Sequence, residues 1–101
     1  MNMQQMIQQA QKMQRELKKA KEELAKREFF ISKAGLVKVV MLGNKTVHSI
    51  DIDKDALDEE NREMLQDTIA LCINELMKQI VEAEEDINEQ ITGSRSGGGM
   101  L

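Results

Sequence analysis

Five cations, Lys12, Arg15, Lys18, Lys19 and Lys26, fall in one stretch free of Gly and Pro. If that stretch is helical they gather on one side of it, at the outer c and f positions of a heptad with Lys18 at the neighbouring b. The chemistry open to such a row is neutralisation of a polyanion. Ammonium and guanidinium groups held on a rigid rod meet phosphates, release their counterions and gain affinity without touching a base. Glu22 alone interrupts the row, and Glu16 and Glu23 flank it at g. The same charges also suit a solvated face, where pairs such as Glu22 with Lys26 and Glu23 with Arg27 add only about 0.3–0.5 kcal/mol each.

The other reactive residues do not converge. His48 is the sole histidine, in a stretch that reads as a strand, with no second His and no nearby Cys to complete a metal site. Cys72 falls at a core-facing helical position and reads as a small hydrophobe, since no base or cation stands beside it in the pattern. The acidic residues of the last helix spread around a solvated surface and select no catalytic pair. Gly97, Gly98 and Gly99 follow a helix and so cannot present its N-terminus to a phosphate. The expectation is a protein that is not an enzyme, with no cofactor, no metal and no small-molecule substrate.

The elements that must carry these residues follow from periodicity. Apolar residues recur at Met3, Met6, Ala10, Met13, Leu17, Ala20 and Leu24 in alternating steps of three and four. That heptad seam predicts a helix of about 37 Å, laid along another helix by a narrow stripe with the cations on its far side. From Glu28 the pattern changes. Phe29, Phe30 and Ile31 favour a strand, Ser32 to Gly35 a turn, Leu36–Leu42 a second strand, Gly43 and Asn44 a turn tolerant of positive φ, and Val47–Ile52 a third. Leu36–Leu42 is apolar on both faces, so each side of the sheet should be covered, one by the last helix and the other by a second subunit.

Asp53, Asp55 and Asp58 can each open the last helix, which the Asp58-Glu59-Glu60 run favours through its dipole. It should run to about Ile91. Leu65, Ile69, Cys72, Ile73, Leu76, Met77, Ile80 and Val81 give it a face broad enough to pack on a sheet. Ala83, Ile87 and Ile91 then narrow that face, so the final turns should project beyond the sheet. The fold class is therefore α+β, in the order α-β-β-β-α, with one domain over 1–92 and a flexible Gly/Ser-rich tail over 93–101.

Charge is partitioned along the chain. Residues 1–50 hold ten Lys or Arg against four Asp or Glu, and residues 51–101 hold four against fourteen, a contrast hidden in the net of −4. A basic rod on an acidic body meets a polyanion with one end only, and this tilts the cationic row towards binding. Two Phe with neither Trp nor Tyr nearly exclude base stacking on aromatic platforms. No apolar run approaches the ~20 residues of a membrane span, and the single cysteine forms no intrachain disulfide, so a cytoplasmic protein without membrane contact is expected.

The order of elements carries a resemblance. Gly35-Leu36-Val37-Lys38-Val39, Val47-His48-Ser49-Ile50-Asp51-Ile52-Asp53, the Met- and Gln-rich opening Met3 to Gln14, and Met64-Leu65-Gln66-Asp67 with Ile73-Asn74 together resemble the YbaB/EbfC family of bacterial nucleoid-associated proteins. The resemblance runs from about Met3 to Ile91. It implies a tweezer-like homodimer whose sheets join at the centre and whose helices project as paired arms, associated with duplex DNA in the nucleoid and without catalysis. The DNA-binding candidates, Lys12, Arg15, Lys18, Lys19 and Lys26, come from charge geometry; the family supplies no fixed motif for them. Lys54 departs from the proline that many relatives carry there. The competing reading is a coiled-coil holdase or adaptor resembling prefoldin subunits, which would demand heptads in both helices; a membrane-surface helix is the weaker third, for want of Trp or Phe on the stripe.

Overall fold

In the computed structural model, residues 2–93 are described. Helix α1 spans Met3–Lys26. It opens on a capping box, in which the Gln5 backbone N–H donates to Asn2 Oδ1 at 2.8 Å and the Asn2 N–H to Gln5 Oε1 at 3.4 Å. At Arg27 the backbone turns extended, and the meander follows: β1 Glu28–Lys33, β2 Val37–Leu42 and β3 Val47–Ile52, antiparallel in the order β1-β2-β3.

Both hairpin turns obey local chemistry, though not wholly as expected. Ala34 and Gly35 stand at φ 53° and 67° between strands β1 and β2, closed by the Leu36 N–H to Lys33 C=O bond of 2.9 Å. The loop has three residues, 34–36, and the two with positive φ at the centre of its turn match the right-handed twist of the strands. In the second turn Lys45, not Gly43 or Asn44, takes the positive φ, at 70°. Gly43 is required for a different reason: a Cβ there would overlap the Leu24 carbonyl at the end of α1. The Gly43 N–H reaches the Arg27 carbonyl at 2.9 Å and the Asn44 N–H the Ala25 carbonyl at 3.2 Å. Main chain therefore fastens the root of α1 to the β2–β3 turn.

Asp53 caps a 3-10 turn at Lys54–Ala56, its Oδ1 accepting the Asp55 N–H at 2.8 Å. Lys54 thus holds the first position of that turn, where proline is well tolerated, so either residue suits the fold. The long helix opens later than expected. A second 3-10 turn, Glu59–Asn61, intervenes, and α2 runs Arg62–Thr92, stopped by Gly93 in the left-handed conformation with its N–H on the Glu89 carbonyl. Apart from Gly93, the expected 93–101 tail lies outside the described residues.

The core sits between α2 and one face of the sheet. Val37, Val39 and Met41 of β2, Phe29 of β1, and Cys72, Leu76 and Ile80 of α2 are buried, joined by Leu24 of α1. The expectation that both faces of β2 are covered holds for one. On the other, Val40 and Leu42 stay half-buried beside Lys38, and Phe30 of β1 is 64% exposed. Strand β3 is uncovered along most of its length. Register pairs Val39 with Ile50 and Met41 with Val47, which puts both β3 side chains on the α2 side of the sheet. Yet Ile50 and Val47 remain 43% and 40% exposed, because α2 packs across β1 and β2. The molecule measures 69 × 29 × 15 Å. Since α2 of 31 residues is only ~47 Å long at ~1.5 Å per residue, α1 must overhang it.

Candidate nucleic-acid interface

The seam of α1 is buried progressively. Leu24 is enclosed, Ala20, Leu17 and Met13 are half-buried, and Ala10, Met6 and Met3 are exposed. Ala20 and Leu24 share a groove with Ile87 of α2, so the last turns of α2 leave the sheet, as their narrowed apolar face predicts, and back the second half of α1. With the seam fixed on α2, helical geometry turns the opposite side outward. Lys12, Arg15, Lys18, Lys19 and Lys26 all lie on that side and all are exposed. From Lys12 to Lys26 the row extends about 21 Å along the axis, longer than the ~12 Å width of the major groove of B-DNA.

Two of the other cations meet acids of α2. Lys33 pairs with Glu75 at 3.5 Å and Lys45 with Glu84 at 3.3 Å, tying the sheet and its second turn to α2. Lys21 borders the groove that Glu84 and Glu85 also line. Arg27 lays its guanidinium over the Phe29 ring, 4.6 Å from the centroid. In the outer row only Lys12 has an ion pair among the described residues, with Glu16 at 4.0 Å and both side chains more than half exposed. Such a pair holds at most ~1 kcal/mol and yields readily to a phosphate. The helix α2, with eight Asp or Glu against two Lys or Arg, takes Lys33 and Lys45 into ion pairs, while Arg15, Lys18, Lys19 and Lys26 make none among the described residues.

Other reactive groups stay apart. Among the described residues no cluster of three His, Cys, Asp or Glu could hold a metal, and no helix is long and apolar enough to cross a membrane. His48 is exposed in β3 where the register slips by a residue, leaving it without a partner in β2. Cys72 is fully buried, and burial pushes its thiol up from the ordinary value, while Lys33 opposes and Glu75 reinforces that shift. A pairing that the sequence reading missed is Lys38 above the Phe30 ring at 5.1 Å, on the open face of the sheet. Strand parity holds the signal, because the residues opposite Lys38 and Phe30 are Ser32 and Val40 on that same face.

An elongated α+β module that exposes a row of cations on one helix, and carries eight of its eighteen acids on the helix behind it, has a charge layout that favours a polyanion on one side. Residues 1–95 match the YbaB/EbfC DNA-binding family, and the chain belongs to that family. A nucleoid-associated protein of Mycoplasmopsis pulmonis is 40% identical over 95 residues, covering 94% of each chain. One of Metamycoplasma arthritidis is 34% identical over 93% of this chain and 98% of its own. A third, from Lactococcus lactis subsp. lactis, is 38% identical over 97% of this chain and 96% of its own.

Proposed function

We propose that this protein is a nucleoid-associated, non-catalytic homodimer that holds the phosphate backbone of duplex DNA through the outer face of α1, in the bacterial cytoplasm. The single observation behind this reading is the separation of charge, since Arg15, Lys18, Lys19 and Lys26 are exposed on the side of α1 opposite its seam and make no ion pair among the described residues. Membership of a DNA-binding family supplies the polyanion. Contact through phosphates suits a chain with two Phe and no Trp or Tyr, which has few rings to stack bases.

The dimer is supported by β3. An edge strand that leaves Val47 and Ile50 two-fifths exposed invites pairing. A second copy set against β3 and the flank of α2 that carries Ile69, Ile73 and Met77 would cover that surface and direct the two α1 rods outward. Changing Lys12, Arg15 and Lys19 together to Glu tests the rod. A mobility-shift titration on duplex DNA should lose the complex while sizing shows the same dimer; retention of wild-type affinity rules the outer row out.

A further inference from the structure

The overhanging end of α1 differs from the rest of the rod. Residues 2–11 carry no charge, and their apolar side chains stand in water: Met3 is 76%, Met6 57% and Ile7 52% exposed, with Ala10 exposed between them and the seam. Met3, Met6 and Ala10 continue, at the same three-and-four spacing, the stripe in which Met13, Leu17 and Ala20 are half-buried and Leu24 is enclosed. The seam outlasts its partner. Among the described residues nothing reaches it, because α1 extends beyond α2 in a molecule 69 Å long.

The chemistry of the segment narrows the occupant. Its lack of cations gives DNA no handle, and without Trp or Phe it does not seat in a membrane interface. An uncharged apolar stripe of heptad spacing fits another of the same kind, and Met adapts well to such contacts. We infer that the free ends of α1 from two copies pair through Met3, Met6, Ile7 and Ala10, joining separate DNA-bound molecules end to end. This inference rests on the DNA-binding reading only for its setting. The patch is on the order of a few hundred Å², well short of the ~800 Å² per partner of a stable interface. Pairing is therefore weak in free solution and becomes populated where DNA concentrates the protein, as tethering raises the effective concentration of a second contact.

The triple change Met3→Gln, Met6→Gln and Ile7→Gln tests it, since Gln keeps helix propensity and unbranched length without an apolar surface. Two readouts are compared in the full-length protein: a mobility shift on one labelled duplex, and capture of that duplex on beads carrying a second, unlinked duplex. Wild type should bridge the two, and the variant should bridge at least tenfold less while shifting the single duplex within twofold of wild type. Equal bridging by the variant overturns the inference, as does a wild type that shifts DNA without bridging. If wild type binds no DNA, the functional reading fails separately, and sedimentation decides. A weight-average mass that rises with concentration in wild type but not in the variant then sustains the pairing; identical masses reject it.

Discussion

Cys72 shows how a single side chain records the packing around it. It lies at the centre of the α2 face with no exposed surface, and desolvation holds its thiol above the ordinary value of 9.0. The stability tied to the neutral thiol is complete below that ordinary value and is lost as pH climbs through the higher folded one. Between pH 8 and pH 10.5 the urea midpoint of wild type should fall further than that of Cys72→Ala, which differs from it in that side chain alone. A thiol reagent at pH 8 should label Cys72 only as fast as the chain unfolds. At this scale the sequence was informative wherever period alone decides. The heptad set the five outer cations opposite the seam, and the core position of Cys72 followed from its spacing to Ile69, Leu76 and Ile80. Period says nothing of which cations acids will claim, because Lys33 and Glu75 are brought together by a fold that joins residues distant in the chain.

Elements differ in how far local chemistry determines them. The β1–β2 turn needs positive φ at both central residues, and Ala34 adopts φ 53° at a cost of roughly 1–2 kcal/mol. Asn tolerates that conformation and precedes Gly35 in the favoured Asn-Gly pair, so Ala34→Asn should stabilise the protein by about 0.5–1 kcal/mol, seen as a higher urea midpoint at unchanged slope. The opposite result is expected at Gly43, where an added methyl meets the Leu24 carbonyl. Gly43→Ala should destabilise by about 1–3 kcal/mol and raise the mobility of α1 relative to the sheet, measurable as faster amide exchange near Ala25 and Arg27. Turn composition made both hairpins legible and placed β3 correctly. The demand on Gly43 was not legible, because it arises from a backbone approach across eighteen residues of intervening chain rather than from the turn itself. The start of α2 was equally ambiguous: Asp53, Asp55 and Asp58 all have cap chemistry, and only the fold spends Asp53 on a 3-10 turn and defers the helix to Arg62.

For the whole molecule, shape and charge decide how it should meet DNA. If five cations of one rod each neutralise a phosphate, the logarithm of affinity should fall with the logarithm of salt at a slope of about −4 to −5 per engaged rod, since each contact contributes about −0.9. A slope near zero would mean that the row stays in solvent. On the proposed dimer, subunit association would rest on β3, so Ile50→Glu, which places a charge at the uncovered apolar edge, should shift the mass in solution from dimer to monomer and weaken duplex binding through lost bivalency. The α-β-β-β-α order could be derived before any coordinates, because each boundary coincides with a switch in hydrophobic period. The open far face of the sheet could not, since an apolar run on β2 reports only that both sides favour cover, not which side the chain itself supplies. The fastening of α1 through Gly43, Ala25 and Arg27 has a consequence for divergence among kin. Its grip consists of carbonyls, amides and a missing methyl, none of which depends on what the rod displays, so a lineage can recolour the rod's outer surface, residue by residue, to suit its own cytosolic ionic strength and never alter where that surface is aimed.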